Sequence, residues 1–158
     1  MKNLLSLLLF VGIHCFSQKN LPDLSLSTLD GKKVSLKNDF SEKDKLYVFS
    51  FWASWCGPCI NELDEMNEVQ AEWKKSINFE VIAVATDDSR TQKRVKPLVN
   101  GKEWDYTILL DTNQDFKRAL SIVNIPYTIV VKNNKIVHIQ NGYVPGSEVD
   151  LYEKLKAL

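Results

Sequence analysis

"FWASWCGPCI", residues 51–60, sets two cysteines two residues apart, behind a tryptophan and around a Gly-Pro pair. The whole chain holds only three cysteines, so the placement asks for a reason. A redox couple, half of a metal site and a structural staple are the candidates. A staple closing so short a loop restricts the unfolded chain very little. A structural zinc site needs a full set of Cys or His ligands, yet beyond His14 the only histidine is His138. Both of those readings are poor.

The flanks give the pair a place in a fold. "KLYVFSFW", residues 45–52, is a nearly continuous apolar run, as expected of a strand buried on both faces. After Cys56, Ile60, Leu63, Met66, Val69 and Trp73 recur every three or four residues and predict a helix to about Lys75. "FEVIAVAT", residues 79–86, predicts a second buried strand. Strand, CxxC, helix, strand is a βαβ unit with the cysteines where strand feeds helix. Amides at a helix start are unpaired and the dipole is positive there, so a Cys56 thiolate is stabilised and its pKa falls below about 8.5. Pro58 suits the first turn because it has no amide hydrogen to leave unpaired. Cys59, nearly one turn further in, is expected to be the less exposed sulfur.

Around this unit, "LSLSTLDGKKVSL", residues 24–36, alternates about Asp30-Gly31 and predicts a hairpin. "DDSRTQKRVKPLVNG" suits a short helix capped by Ser89 and stopped near Asn100-Gly101, and residues 106–111 suit a strand. Residues 113–124 suit a helix capped by Asn113. Ile125-Pro126 opens two β-rich runs joined by Asn133-Asn134, and a tight bend there would accommodate a cis proline. Residues 147–158 predict a final amphipathic helix capped by Ser147.

At 158 residues, with 44% hydrophobic and 25% charged residues, the chain fits one globular domain with a real core. Twenty basic residues balance twenty acidic ones, so no electrostatic footprint for nucleic acid exists. Met1-Lys2-Asn3 followed by apolar Leu4–Ile13 has the length of a signal-peptide core and falls short of the roughly 20 residues a membrane span needs. Residues 1–17 are therefore expected to be a signal peptide cleaved after Ser17, leaving 18–158 as the domain. Acylation of Cys15 or an uncleaved anchor are the alternatives. Cleavage removes Lys2 and the odd cysteine, and exports one pair to a compartment where disulfides persist.

The order of elements, with "FWASWCGPC" followed by Glu62 three residues on, and "IPYTIVV", resembles the TlpA/ResA-like branch of the thioredoxin superfamily. The likeness covers about residues 21–158. It implies an α/β thioredoxin fold: a central mixed β-sheet flanked by helices, with an N-terminal β-hairpin and a central inserted helix–strand segment. It also implies thiol–disulfide exchange without a cofactor, with Cys56 as nucleophile, Cys59 as resolving thiol and Pro126 as the cis-proline facing them. Trp55, Gly57, Pro58 and Ile125 would contact substrate. Glu62 matches an acidic position thought to handle protons; an ordinary solvated carboxylate on the acidic stretch "NELDEMNE" is the competing reading. The chain departs from the pattern at Asp64, where a helix-kinking proline is usual, and at Ser50, where thioredoxin has a buried aspartate.

The implied partners are disulfide-bearing or dithiol proteins outside the cytoplasm and a membrane thiol–disulfide electron donor, with the chain itself a monomer. Reduction is the expected direction. The Gly-Pro dipeptide is thioredoxin's, no cation lies within "ASWCGPCIN", and Glu62, Asp64, Glu65 and Glu68 would limit thiolate stabilisation. A peroxiredoxin-like thiol peroxidase is the alternative enzyme, although residues 47–55 lack the proline that precedes the reactive cysteine in that group. A Cu(I)-binding module is the non-enzymatic alternative, since two thiolates suit a soft ion.

Overall fold

A computed structural model describes residues 19–158. The proposed signal peptide, its cleavage after Ser17, and Cys15 lie outside the described residues. The centre of the fold is β3 (Leu46–Trp52), whose seven residues are all buried. Both its edges are paired, with β4 (Phe79–Ala85) parallel to it on one side and β6 (Tyr127–Lys132) antiparallel on the other, and both its faces are packed into core. A parallel neighbour demands a crossover. The long helix α2 (Gly57–Trp73) supplies it between β3 and β4. A short 3-10 turn and α3 (Val95–Lys102) supply the next, from β4 to β5 (Thr107–Leu110).

Hairpins extend both sides of this parallel trio. β1 (Ser25–Thr28) and β2 (Lys33–Ser35) pair with each other, and β1 pairs antiparallel with β5. On the far side β7 (Lys135–Asn141) returns along β6 through Asn133 and Asn134, both at positive φ (52° and 61°), as a right-twisting two-residue turn requires. The seven strands run β2-β1-β5-β4-β3-β6-β7. A register shift interrupts the β6–β7 ladder at Val130/Val131, and Asn20 bridges to Lys135 at the start of the outer strand.

The sheet separates two cores. Alternate residues of β3 point opposite ways, so Val48 and Trp52 join Cys59, Leu63, Met66 and Trp73 of α2 and Leu151 and Leu155 of α5 (Ser147–Ala157). Tyr47, Phe49 and Phe51 face the other side, where Leu36 of α1 (Leu36–Asp39), Phe40 and Phe116 of α4 (Asp115–Ala119) cover them with edge-on aromatic contacts. Ser50 falls on the α2 side.

Three helix starts differ from expectation. Asp88, rather than Ser89, accepts the N–H groups of Arg90 (3.0 Å) and Thr91 (3.2 Å), and the following helix runs on to Lys102 before Glu103 turns left-handed at φ 53°. At α4 the buried carboxylate of Asp111 accepts from Phe116 (3.1 Å) and Lys117 (2.9 Å), not the Asn113 side chain. That helix spans five residues because Ser121, at φ 60°, turns the chain away. Ser147 is the first residue of α5 rather than its cap; Gly146, at φ 97°, precedes it.

Candidate active site

Where β3 ends, the chain makes one turn and enters α2, and the cysteines straddle that entry. Cys56 is the extended residue preceding the helix (φ −95°, ψ 95°), and its carbonyl accepts the first helical bond from Ile60 at 3.1 Å. Its own N–H goes back to Ala53 at 3.0 Å. Pro58 occupies the first turn, where a missing N–H costs nothing. Cys56 and Cys59 are joined in a disulfide with Cα atoms 5.3 Å apart. Cys59 is fully buried and Cys56 is 6% exposed, whereas Gly57 and Pro58 are exposed and Trp55 stands 60% clear. Trp52, by contrast, is wholly inside, packed edge-on to Trp104 at 5.1 Å.

One turn beyond Cys59, Glu62 points into the sheet instead of into solvent. It is 2% exposed, which removes the reading of a solvated surface carboxylate. Its Oε2 accepts from the Ser50 hydroxyl at 3.0 Å and its Oε1 from Thr128 at 3.1 Å. Ser50 and Thr128 are cross-strand partners on β3 and β6, so the two central strands together form the floor beneath this carboxyl. Burial pushes its pKa up to about 7 against the opposing pull of the two hydroxyls. A carboxyl with that value exchanges a proton near neutrality. The serine that replaces thioredoxin's buried acid thus cradles an acid delivered from the helix.

Asp64 does not break α2, which runs unbroken through it. Its carboxylate accepts from the Lys102 ammonium (2.6 Å) and the Trp104 indole (2.9 Å), and the Tyr106 hydroxyl donates to the Leu63 carbonyl at 2.7 Å. The inserted segment is thereby tied to the active-site helix. With Asp64 paired and Glu62 buried near neutrality, two of the four acids expected to weigh against a thiolate contribute less than their formal charges suggest.

The Ile125–Pro126 peptide bond is cis. Phe51 pairs with Tyr127, so the register sets the buried Pro126 at the end of the sheet where β3 hands over to the CxxC turn. Its carbonyl accepts from Gly142 at 2.9 Å, and Ile125 is half-buried beside it. His138 is half-buried on β7, and burial, with Lys154 adding to it, holds its pKa below the ordinary value. Among the described residues no group of three or more His, Cys, Asp or Glu comes together as a metal site.

Sequence reasoning passed over Thr128 and Asp87. Asp87 is buried and holds Ser54 through both its N–H (2.8 Å) and its hydroxyl (2.5 Å). The available signals were a polar residue inside each apolar run, "YVFSFW" and "YTIVV", and the two acids directly after "FEVIAVAT".

A model of the Redoxin family matches residues 17–155. The thiol-disulfide oxidoreductase ResA of Bacillus thuringiensis subsp. konkukian is 28% identical over 137 residues, spanning 86% of this chain and 76% of that protein. Among solved structures, a thioredoxin-like protein of Porphyromonas gingivalis is 40% identical with a TM-score of 0.76, covering 87% of this chain and 90% of its own. A thiol:disulfide interchange protein DsbE of Chlorobium tepidum is 25% identical with a TM-score of 0.76, covering 89% and 95%.

Proposed function

The chain belongs to the Redoxin family as a ResA-like member of the thioredoxin superfamily, and from that premise we propose that it reduces disulfides of proteins outside the cytoplasm. It is a thiol–disulfide oxidoreductase, and its substrates are disulfides or dithiols. The observation that carries the mechanism is a Cys56–Cys59 disulfide at the start of α2 with a buried, near-neutral carboxyl one turn on.

In the reducing direction the Cys56 thiolate attacks one sulfur of the substrate disulfide. A bond forms between Cys56 and that sulfur, the substrate's S–S bond breaks, and the other sulfur leaves with the electron pair and takes up a proton. Cys59 then loses its proton and attacks the Cys56 sulfur, releasing the second substrate thiol and closing the Cys56–Cys59 disulfide. Two electrons pass to the substrate. Glu62 is the group suited to receive the Cys59 proton, because it lies one helical turn away and titrates near neutrality. Pro126, Ile125, Trp55, Gly57 and Pro58 form the rim that meets the substrate chain.

Residues 1–17 act as the signal peptide, the exported chain begins at Gln18 and works as a monomer, and a membrane dithiol donor regenerates the reduced pair. Preparing cytochrome c for haem attachment is a fitting task, since that chemistry needs reduced cysteines in an oxidising compartment. Gly-Pro between the cysteines and the absence of cations from residues 53–61 support the reducing direction.

Trapping tests the assignment. Cys59→Ser should accumulate mixed disulfides through Cys56, and Cys56→Ser should not; equal trapping by both would reverse or dissolve the roles. An equilibrium potential nearer the about −120 mV of a strong oxidant than the about −270 mV of thioredoxin would overturn the direction.

A further inference from the structure

The turn that presents Cys56 is held from outside itself. β3 and β4 run parallel with Trp52 opposite Ala85, so the residues just past each strand arrive at the same end of the sheet. Thr86 continues the pairing by giving both its N–H (2.8 Å) and its hydroxyl (3.0 Å) to the Trp52 carbonyl. Asp87 comes next. It is 1% exposed, and its two carboxylate oxygens go to one residue, accepting the Ser54 N–H at 2.8 Å and the Ser54 hydroxyl at 2.5 Å. A buried carboxylate is costly unless its oxygens are bonded. Here both bonds are directed at the residue two positions before the cysteine, and the Cys56 N–H to Ala53 bond closes the same turn.

We propose that Asp87 is a positioning residue for thiol–disulfide exchange: it clamps the 53–56 turn so that the Cys56 sulfur stays at the unpaired amides of α2. The proposal rests on Cys56 being the attacking thiol. The clamp matters most in the dithiol state. In the oxidised protein the disulfide ties Cys56 to the first helical turn; after reduction that tie is gone, and the Asp87–Ser54 bonds and the Cys56–Ala53 bond remain to hold the geometry. A misplaced thiolate loses both its stabilising amides and its line of attack.

The test uses the Cys59→Ser chain as parent, so that Cys56 is the lone sulfur of the pair. Its rate of mixed-disulfide formation with an aromatic disulfide is measured, together with its alkylation rate against pH. Asp87→Ala should slow attack about 10- to 100-fold and raise the apparent pKa of Cys56 toward that of a free thiol. Asp87→Asn should stay close to the parent, because an amide oxygen can accept the Ser54 N–H while its NH₂ donates to the Ser54 hydroxyl. Ser54→Ala, which keeps the main-chain bond, should fall between, and it decides the matter if Asp87→Ala does not fold. Unchanged rate and pKa in Asp87→Ala, or in Ser54→Ala, would overturn the proposal. So would equal effects of Asn and Ala with the Cys56 pKa lowered, since that is the signature of a charge acting at a distance. A parent that forms no mixed disulfide would instead bring down the assignment of Cys56 as the attacking thiol.

Discussion

Glu62→Gln exchanges a carboxyl oxygen for an NH₂ group at a buried site, and it should cancel a pH dependence that the wild-type chain carries. In the fold this carboxyl titrates at about 7, against 4.5 for an ordinary glutamate. The folded state therefore holds its proton more tightly than the unfolded chain does. Between those two values the native state binds the extra proton, so stability falls as pH rises. The contribution is fully present below about 4.5 and is lost by the time pH has passed about 7. At roughly 1.4 kcal/mol per pH unit, the whole effect is about 3 kcal/mol. Glutamine keeps the local bonds, since its oxygen can accept from Thr128 while its NH₂ donates to Ser50, but it does not titrate. Urea unfolding of the oxidised forms, which keeps the thiols silent, should show the two proteins similar near pH 4.5. By pH 8 the variant should be the more stable by about 3 kcal/mol. A difference that stays flat between pH 4.5 and 7, or grows in favour of the wild type, would refute the burial argument. If Glu62 also carries the proton of Cys59, the variant's resolving step should lose its pH dependence over the same window.

Ser50→Ala should move the Glu62 titration further alkaline, because the hydroxyl favours the ionised carboxylate; carboxyl NMR shifts against pH read this, and an acid shift would contradict it. Asp111→Ala leaves the buried Phe116 amide and the half-buried Lys117 amide of α4 without their acceptor and should cost about 1–3 kcal/mol in urea unfolding, with no change in the redox potential. Trp55→Ala should leave stability within about 0.5 kcal/mol, because the ring is largely exposed. It should nonetheless slow reduction of protein disulfides more than of small ones; equal slowing would show that the ring does not meet the substrate chain.

The βαβ unit was legible because three signals coincided: an uninterrupted apolar strand, a helical repeat beginning directly at Cys56, and a second apolar strand. The hairpins were legible from Asp30-Gly31 and Asn133-Asn134, whose residue types tolerate the left-handed turns found there. The caps were less so. Asp88, Asp111 and Gly146 displaced Ser89, Asn113 and Ser147 because the chain enters each helix through an unusual backbone angle or receives a carboxylate from a few residues upstream. The environment of Glu62 was the deepest omission. A single acidic helix face reads as solvated until the sheet beneath it is known to offer Ser50 and Thr128 side by side. That pairing joins residues 78 positions apart, and no local pattern carries it.

The outer strands bear on how such a protein survives its clients. A chain that exchanges disulfides with other proteins meets extended segments that can pair with an open strand. A long, flat outer strand would invite them to add to the sheet. Here one border is β2, only three residues long. The other, β7, is disrupted by the register shift at Val130/Val131 and already engaged at its first residue by Asn20. The parallel strands that carry the chemistry sit well inside these borders. The sheet's flanks thus offer an extended segment little to pair with, and so little template for aggregation.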